Sequence, residues 1–249
     1  MARVALSRIL ILAAWGLVVA AACAGSTGSS ATPVPLTTVN CEPLATFERY
    51  RYTSVVTFDL EARGPDTPAE QPDLGASPYK ITFDIEGAVQ QPDKVDVVIR
   101  YPAGSGSSLP IIGIGNTTWT QTLGVWARED LPPPEVYPPA RICVGLAPDV
   151  DLEGVEGEPD EINGVPVVHF SFEDMPTQFP VAIWGLGSDF GRLMENLDVE
   201  LWLSRDEGYP VRLELGGVGY YENGRSLVLE VATEVSDVND KSIEIEPPQ

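Results

Sequence analysis

From residue 50 onward, apolar and polar positions alternate with period two along much of the chain. Tyr50, Tyr52, Ser54, Val56, Phe58 and Leu60 fall on one face, and Arg51, Thr53, Thr57, Asp59 and Glu61 on the other. Tyr79 to Glu86 alternates without a fault, and Val95, Val97, Ile99 and Tyr101 continue the pattern. Strict alternation predicts antiparallel sheet with one apolar and one solvated face. Three more strands are expected between Leu109 and Arg128, broken near Asn116 and Gly124. Asn163-Gly164 is a tight-turn signal leading into a strand from Val165 to Phe172. The last third reads as strand throughout: Asp198 to Ser204, Tyr209 to Gly216, Ser226 to Val235 and Ser242 to Glu246. Asp206-Glu207-Gly208 and Glu222-Asn223-Gly224 supply turns between them.

Helical periodicity is scarce. Ala140 to Leu146 reads as a short helix carrying Cys143. From Val181 to Leu197, the residues Ile183, Leu186, Phe190, Leu193, Met194 and Leu197 fall near helical spacing. Gly185, Gly187 and Gly191 weaken that helix by about 1 kcal/mol each relative to Ala. Pro132-Pro133-Pro134 and Pro138-Pro139 end regular pairing, and an acidic stretch runs from Asp149 to Glu161.

The first thirty residues follow a different rule. Arg3 and Arg8 precede an apolar run, Ile9 to Val19, then Ala20-Ala21-Ala22-Cys23 and a Gly/Ser spacer. This is the layout of a secretory signal. The run is shorter than the ~20 residues a spanning helix needs. Cysteine directly after small residues looks like a bacterial lipoprotein signal, in which Cys23 becomes the acylated N-terminus. The same Ala20-Ala21-Ala22 would also suit ordinary signal peptidase. The expected organisation is a signal peptide over 1–22, a lipid-anchored flexible tether over 23–42, and one domain over 43–249.

Composition limits the partners. The net charge is −22, from 15 basic and 37 acidic residues. Such a chain repels phosphate backbones, so nucleic acid is excluded as a partner, and electrostatic adhesion to anionic lipid is disfavoured. A hydrophobic share of 43% argues for a folded body. Three cysteines are an odd number for a secreted chain. If Cys23 is acylated, Cys41 and Cys143 are left to pair in an oxidising compartment or to remain buried thiols.

Strands on both sides of one or two short helices, behind such a signal, resemble the LolA/LppX-like superfamily of periplasmic lipoproteins. One stretch that carries the resemblance runs from Gly157-Glu158 through Asn163-Gly164-Val165-Pro166 to His169-Phe170. It is similar to the family's G-E-x-x-x-N-G-V-P-x-x-H-Y strand entry. The other, Val199-Glu200-Leu201-Trp202-Leu203-Ser204 to Gly208-Tyr209-Pro210-Val211-Arg212-Leu213, is similar to its V-x-V-W-I-D-x-x-T-G-L-P-V-R-L hairpin. The end of the chain, from Ser236 to Pro248, also fits the family's last strand. The departure is the Pro-rich, acidic segment 130–161, where relatives are more helical. The resemblance implies an α+β fold: a strongly curved antiparallel half-barrel sheet with one to three short helices covering its concave face. It implies an acyl chain or lipid held between sheet and helices.

The alternating apolar face supplies candidate lining residues: Val56, Phe58, Ile81, Phe83, Ile85, Val97 and Ile99. The expected helix adds Ile183, Phe190 and Met194. The competing reading is that all of these pack a dry core.

Little points to catalysis. The single histidine, His169, alternates with Val168 and Phe170 and so belongs to the solvated face. No G-x-S-x-G elbow occurs. Cys41 and Cys143 lack the C-x-x-C spacing of zinc or redox sites. Asp149, Asp151, Glu153 and Asp160 approximate a calcium-loop spacing, but Glu153 stands where Asp or Asn is usual and Asp160 where a bidentate Glu is needed. Trp119, Trp126, Trp184 and Trp202 are candidates for core packing or for contact with a membrane or ligand. The expectation is a non-enzymatic lipoprotein, extracytoplasmic and anchored through Cys23. It needs no cofactor, and it binds lipid or another hydrophobic molecule. The alternative is an envelope interaction or sensory protein with a filled core, meeting a protein partner through its acidic loop or outer sheet face.

Overall fold

The structure is a computed structural model, and it describes residues 36–60, 79–101, 108–132, 139–176, 194–220 and 226–249. All belong to one compact unit. Eleven antiparallel strands form one open, curved sheet: β1 (Arg49–Leu60), β2 (Tyr79–Gln90), β3 (Lys94–Arg100), β4 (Ser108–Ile114), β5 (Thr117–Thr122), β6 (Val125–Glu129), β7 (Glu158–Ile162), β8 (Val165–Pro176), β9 (Met194–Ser204), β10 (Pro210–Tyr220) and β11 (Ser226–Ser236). Their order across the sheet is β6-β5-β4-β3-β2-β1-β11-β10-β9-β8-β7. Two meanders are therefore joined by the β1–β11 pair, which brings the two ends of the domain together. With α1 (Glu42–Thr46) and α2 (Pro139–Leu146), this is an α+β half-barrel.

The alternation read from the sequence sets the faces. Tyr50, Tyr52, Ser54, Val56 and Phe58 of β1 are all buried. Across the β1–β11 seam Tyr52, Ser54, Val56 and Phe58 face Val235, Thr233, Val231 and Leu229 in register. Leu213 and Leu215 of β10, Val199 and Leu201 of β9 and Phe170 of β8 continue that apolar face. Leu44 and Phe47 at α1, Ile142, Cys143 and Leu146 of α2, and Val150 and Leu152 beyond it belong to the same core. A disulfide joins Cys41, at the entry to α1, to Cys143 in α2, with the Cα atoms 5.7 Å apart.

Turns fall where their residues allow them. Asn163 (φ 52°) and Gly164 (φ 79°) both adopt the left-handed conformation that a two-residue hairpin requires. Gly208 does the same between β9 and β10.

Four expectations need correction. Met194 to Leu197, the end of the expected helix, open β9 instead, and its remainder lies outside the described residues. Ser242 to Glu246 is not a strand. It is a strap whose Ile243 and Ile245 are buried with Ala88, Ile112 and Ile114 on the other face of the sheet. Side chains hold it: Arg49 donates to the Ile243 carbonyl (3.0 Å), Lys94 to the Ile245 carbonyl (3.1 Å), and the Ile245 amide to Gln90 (3.0 Å). The acidic stretch contains an unforeseen edge strand, β7. Finally, the last residues of the expected tether belong to the body. Leu36 and Val39 pack against the core, and the Asn40 amide bonds the Gly208 carbonyl at 3.0 Å.

Candidate functional site

Register brings the seven sheet residues of the expected lining onto one face of β1–β3. Val56 stands opposite Phe83, Phe58 opposite Ile81, Ile85 opposite Ile99, and Val97 opposite Gly87. Of the three helix candidates, Ile183 and Phe190 lie outside the described residues, as do Trp184 and Cys23, while Met194 stands at the first position of β9.

The seven are not equivalent. Val56, Ile85, Val97 and Phe58 are buried, whereas Ile81, Phe83 and Ile99 are only half-buried. The division follows position along the strands. Ile85 and Val97, at mid-strand, belong to the closed core that β1 and β8–β11 share with α1 and α2. Ile81 and Phe83 toward the start of β2 and Ile99 toward the end of β3 are half-covered, as is Phe172 of β8, and the strip ends at Tyr101, which is 37% exposed. Aromatic rings run along this strip. Phe58 meets Phe83 edge-on with centroids 6.2 Å apart, and Phe83 meets Tyr101 in the same way at 5.6 Å. Ile81, Phe83, Ile99 and Tyr101 thus form an apolar strip with solvent access beside a closed core. Deeper in that core, burial raises the Tyr50 phenol to about 12. Burial, and then the charge of Tyr50, raise that of Tyr52 as well. Neither phenol can serve as an acid or base near neutrality.

The opposite face has different chemistry. His169, Trp202 and Arg212 stand side by side on β8, β9 and β10. The imidazole stacks on the indole at 4.3 Å with only 10° between planes, and the Arg212 guanidinium lies 5.0 Å from the indole centre. Glu200 bonds both neighbours: His169 Nε2 is 2.5 Å from one carboxylate oxygen, and Ser171 Oγ donates to the other at 2.8 Å. In a Ser-His pair the imidazole accepts the serine proton, whereas here Ser171 Oγ is bonded to Glu200 and the carboxylate stands between the hydroxyl and His169. Arg212 is paired in turn with Glu214.

A depression of about 380 Å³ lies beside this stack, lined by Asp198, Glu200, Glu214 and Glu230 around Val55, Gly216 and Ala232. It opens on the outer face, away from the residues expected to line a lipid cavity. The calcium-loop candidates are not assembled. Asp151 caps the Glu153 amide (2.9 Å), Asp160 lies in β7 and accepts from the Glu161 amide (2.8 Å), and no metal-binding cluster forms among the described residues. No helix among the described residues is long and apolar enough to cross a membrane.

No protein-family model and no curated protein sequence matches the chain. Solved structures do. The lipoprotein LppX of Mycobacterium tuberculosis is similar at 12% identity and a TM-score of 0.39, over 82% of this chain and 93% of that one. LprF of Mycobacterium bovis is similar at 16% identity and a TM-score of 0.43, over 84% of this chain and 92% of that one.

Proposed function

We propose that this chain is a non-catalytic envelope lipoprotein that holds a lipid or other hydrophobic molecule against the inner face of its sheet. The observation that supports this is the uneven burial of that face. Ile81, Phe83, Ile99 and Tyr101 lie contiguously and keep solvent access next to a closed core, the arrangement of an apolar binding surface. An acyl chain laid along this strip would bury methylenes at about 0.8 kcal/mol each, so on the order of eight of them correspond to a dissociation constant of tens of micromolar. In this reading residues 1–22 are a signal peptide and acylated Cys23 anchors the body outside the cytoplasmic membrane.

Native mass spectrometry of the full chain, before and after organic extraction, tests the proposal. Co-purified lipid is expected, and Phe83→Asp should abolish it while the disulfide and the fold persist. Absence of bound lipid, together with no uptake from labelled liposomes, would refute the reading. A second reading, a protein partner on the outer face, draws on the carboxylate-lined depression. Under it, Glu214→Lys with Glu230→Lys would change what co-purifies with the chain and leave lipid content untouched.

A further inference from the structure

The hairpin between β5 and β6 turns through Leu123 and Gly124, both at positive φ (52° and 79°). Leu123 is 99% exposed, and Val125 beside it 70% exposed. Trp126 is half-buried and stands opposite Gln121, on the same face of the hairpin as Trp119, which stands opposite Arg128. Apolar side chains in full solvent at a hairpin tip, with indoles behind them, have the order of groups that suits a bilayer boundary: apolar first, aromatic next, cation last.

Charge supports the same assignment. The whole chain carries −22, yet from Val97 to Arg128 it contains no Asp or Glu. The two cations of that segment are paired, Arg100 with Glu86 and Arg128 with Asp130. β5 and its turn offer only Thr, Gln, Trp, Leu and Gly. This wing can approach a phosphate-rich headgroup layer without the repulsion that the acidic remainder meets. A convex two-residue tip also offers no groove and too little area for a stable protein interface, whereas a few inserted apolar groups suffice at a membrane surface when a second attachment exists.

We propose that the β5–β6 tip is a bilayer contact, with Leu123 and Val125 entering the headgroup–acyl boundary and Trp126 at headgroup depth. The contact goes beyond the ligand reading and uses other residues than the strip that would hold a ligand, and it rests on that reading only for the acyl anchor that supplies the second attachment. It would orient the body on the membrane.

Photocrosslinking of the full chain on phosphatidylcholine vesicles tests it. Benzoylphenylalanine replaces Leu123 in one sample and Asn116, the exposed turn at the other end of β5, in a second. The phospholipid adduct at position 123 should exceed that at 116 by about tenfold, because only the first probe reaches the boundary. With the probe at position 126 instead, Leu123→Asp should remove most of the lipid adduct. Leu123 touches so little of the fold that the variant's structure is not at risk. Equal adducts at 123 and 116, no lipid adduct at either, or a cross-link to a second copy of the chain would each overturn the proposal.

Discussion

Tyr52 lays its ring across the bare side of Gly87, its cross-strand partner in β2. A Cβ built at Gly87 would stand 2.2 Å from two of the ring carbons. Glycine here makes room for an aromatic residue that is only 3% exposed, in the middle of the inner face. The ring in turn shields backbone that glycine leaves bare. Gly87→Ala must displace a buried ring, at a cost of about 1–3 kcal/mol. Urea denaturation checks this. The paired change Gly87→Ala with Tyr52→Val should lose less than the sum of the two single changes, and additivity would mean the contact does not decide the fit.

Beside it, Ser54 and Thr233 face each other across the β1–β11 seam and share a hydrogen bond of 2.9 Å in a buried, otherwise apolar layer. Ser54→Ala strips Thr233 of that partner, and a buried hydroxyl without one costs about 1–3 kcal/mol. Replacing both, as Ser54→Ala with Thr233→Val, removes the polar pair as a unit and should be close to neutral. Equilibrium unfolding of the three variants measures the coupling. A double variant as unstable as Ser54→Ala alone would show that the pair does more than satisfy itself.

Period two was readable wherever one face of a strand is buried and the other wet. Tyr50 to Phe58 therefore shows both its strand and its face in the sequence. The same logic misled at Ser242 to Glu246. Ile243 and Ile245 alternate because only one side of the strap is buried, yet side chains rather than ladder bonds hold it. β7 was invisible for the opposite reason. At the sheet edge, Glu158, Pro159, Asp160 and Glu161 are all exposed, and no pattern remains. For the site, alternation placed Ile81, Phe83 and Ile99 on the inner face. It could not tell them from Ile85 and Val97, because coverage depends on elements distant in sequence. His169 was readable as outward-facing, but its stack with Trp202 and Arg212 depends on the register of three strands.

The disulfide ties the first helix to the second across 102 residues of chain. Neither helix has much sequence of its own: α1 is 5 residues and α2 is 8, both too short to be stable alone. Their place in the core rests on Leu44, Ile142 and Leu146, all nearly inaccessible, and on the cross-link between them. A link closing a loop of this length removes unfolded-state entropy worth about 2–5 kcal/mol. For a body of this size that corresponds to a fall in Tm of roughly 5–15 °C on reduction. Cys143→Ala should reproduce most of the loss, because the small buried side chain leaves little cavity. Peptide mapping without reductant should recover Cys41 joined to Cys143. A Tm unchanged by reductant would mean that packing alone holds the two helices on the sheet.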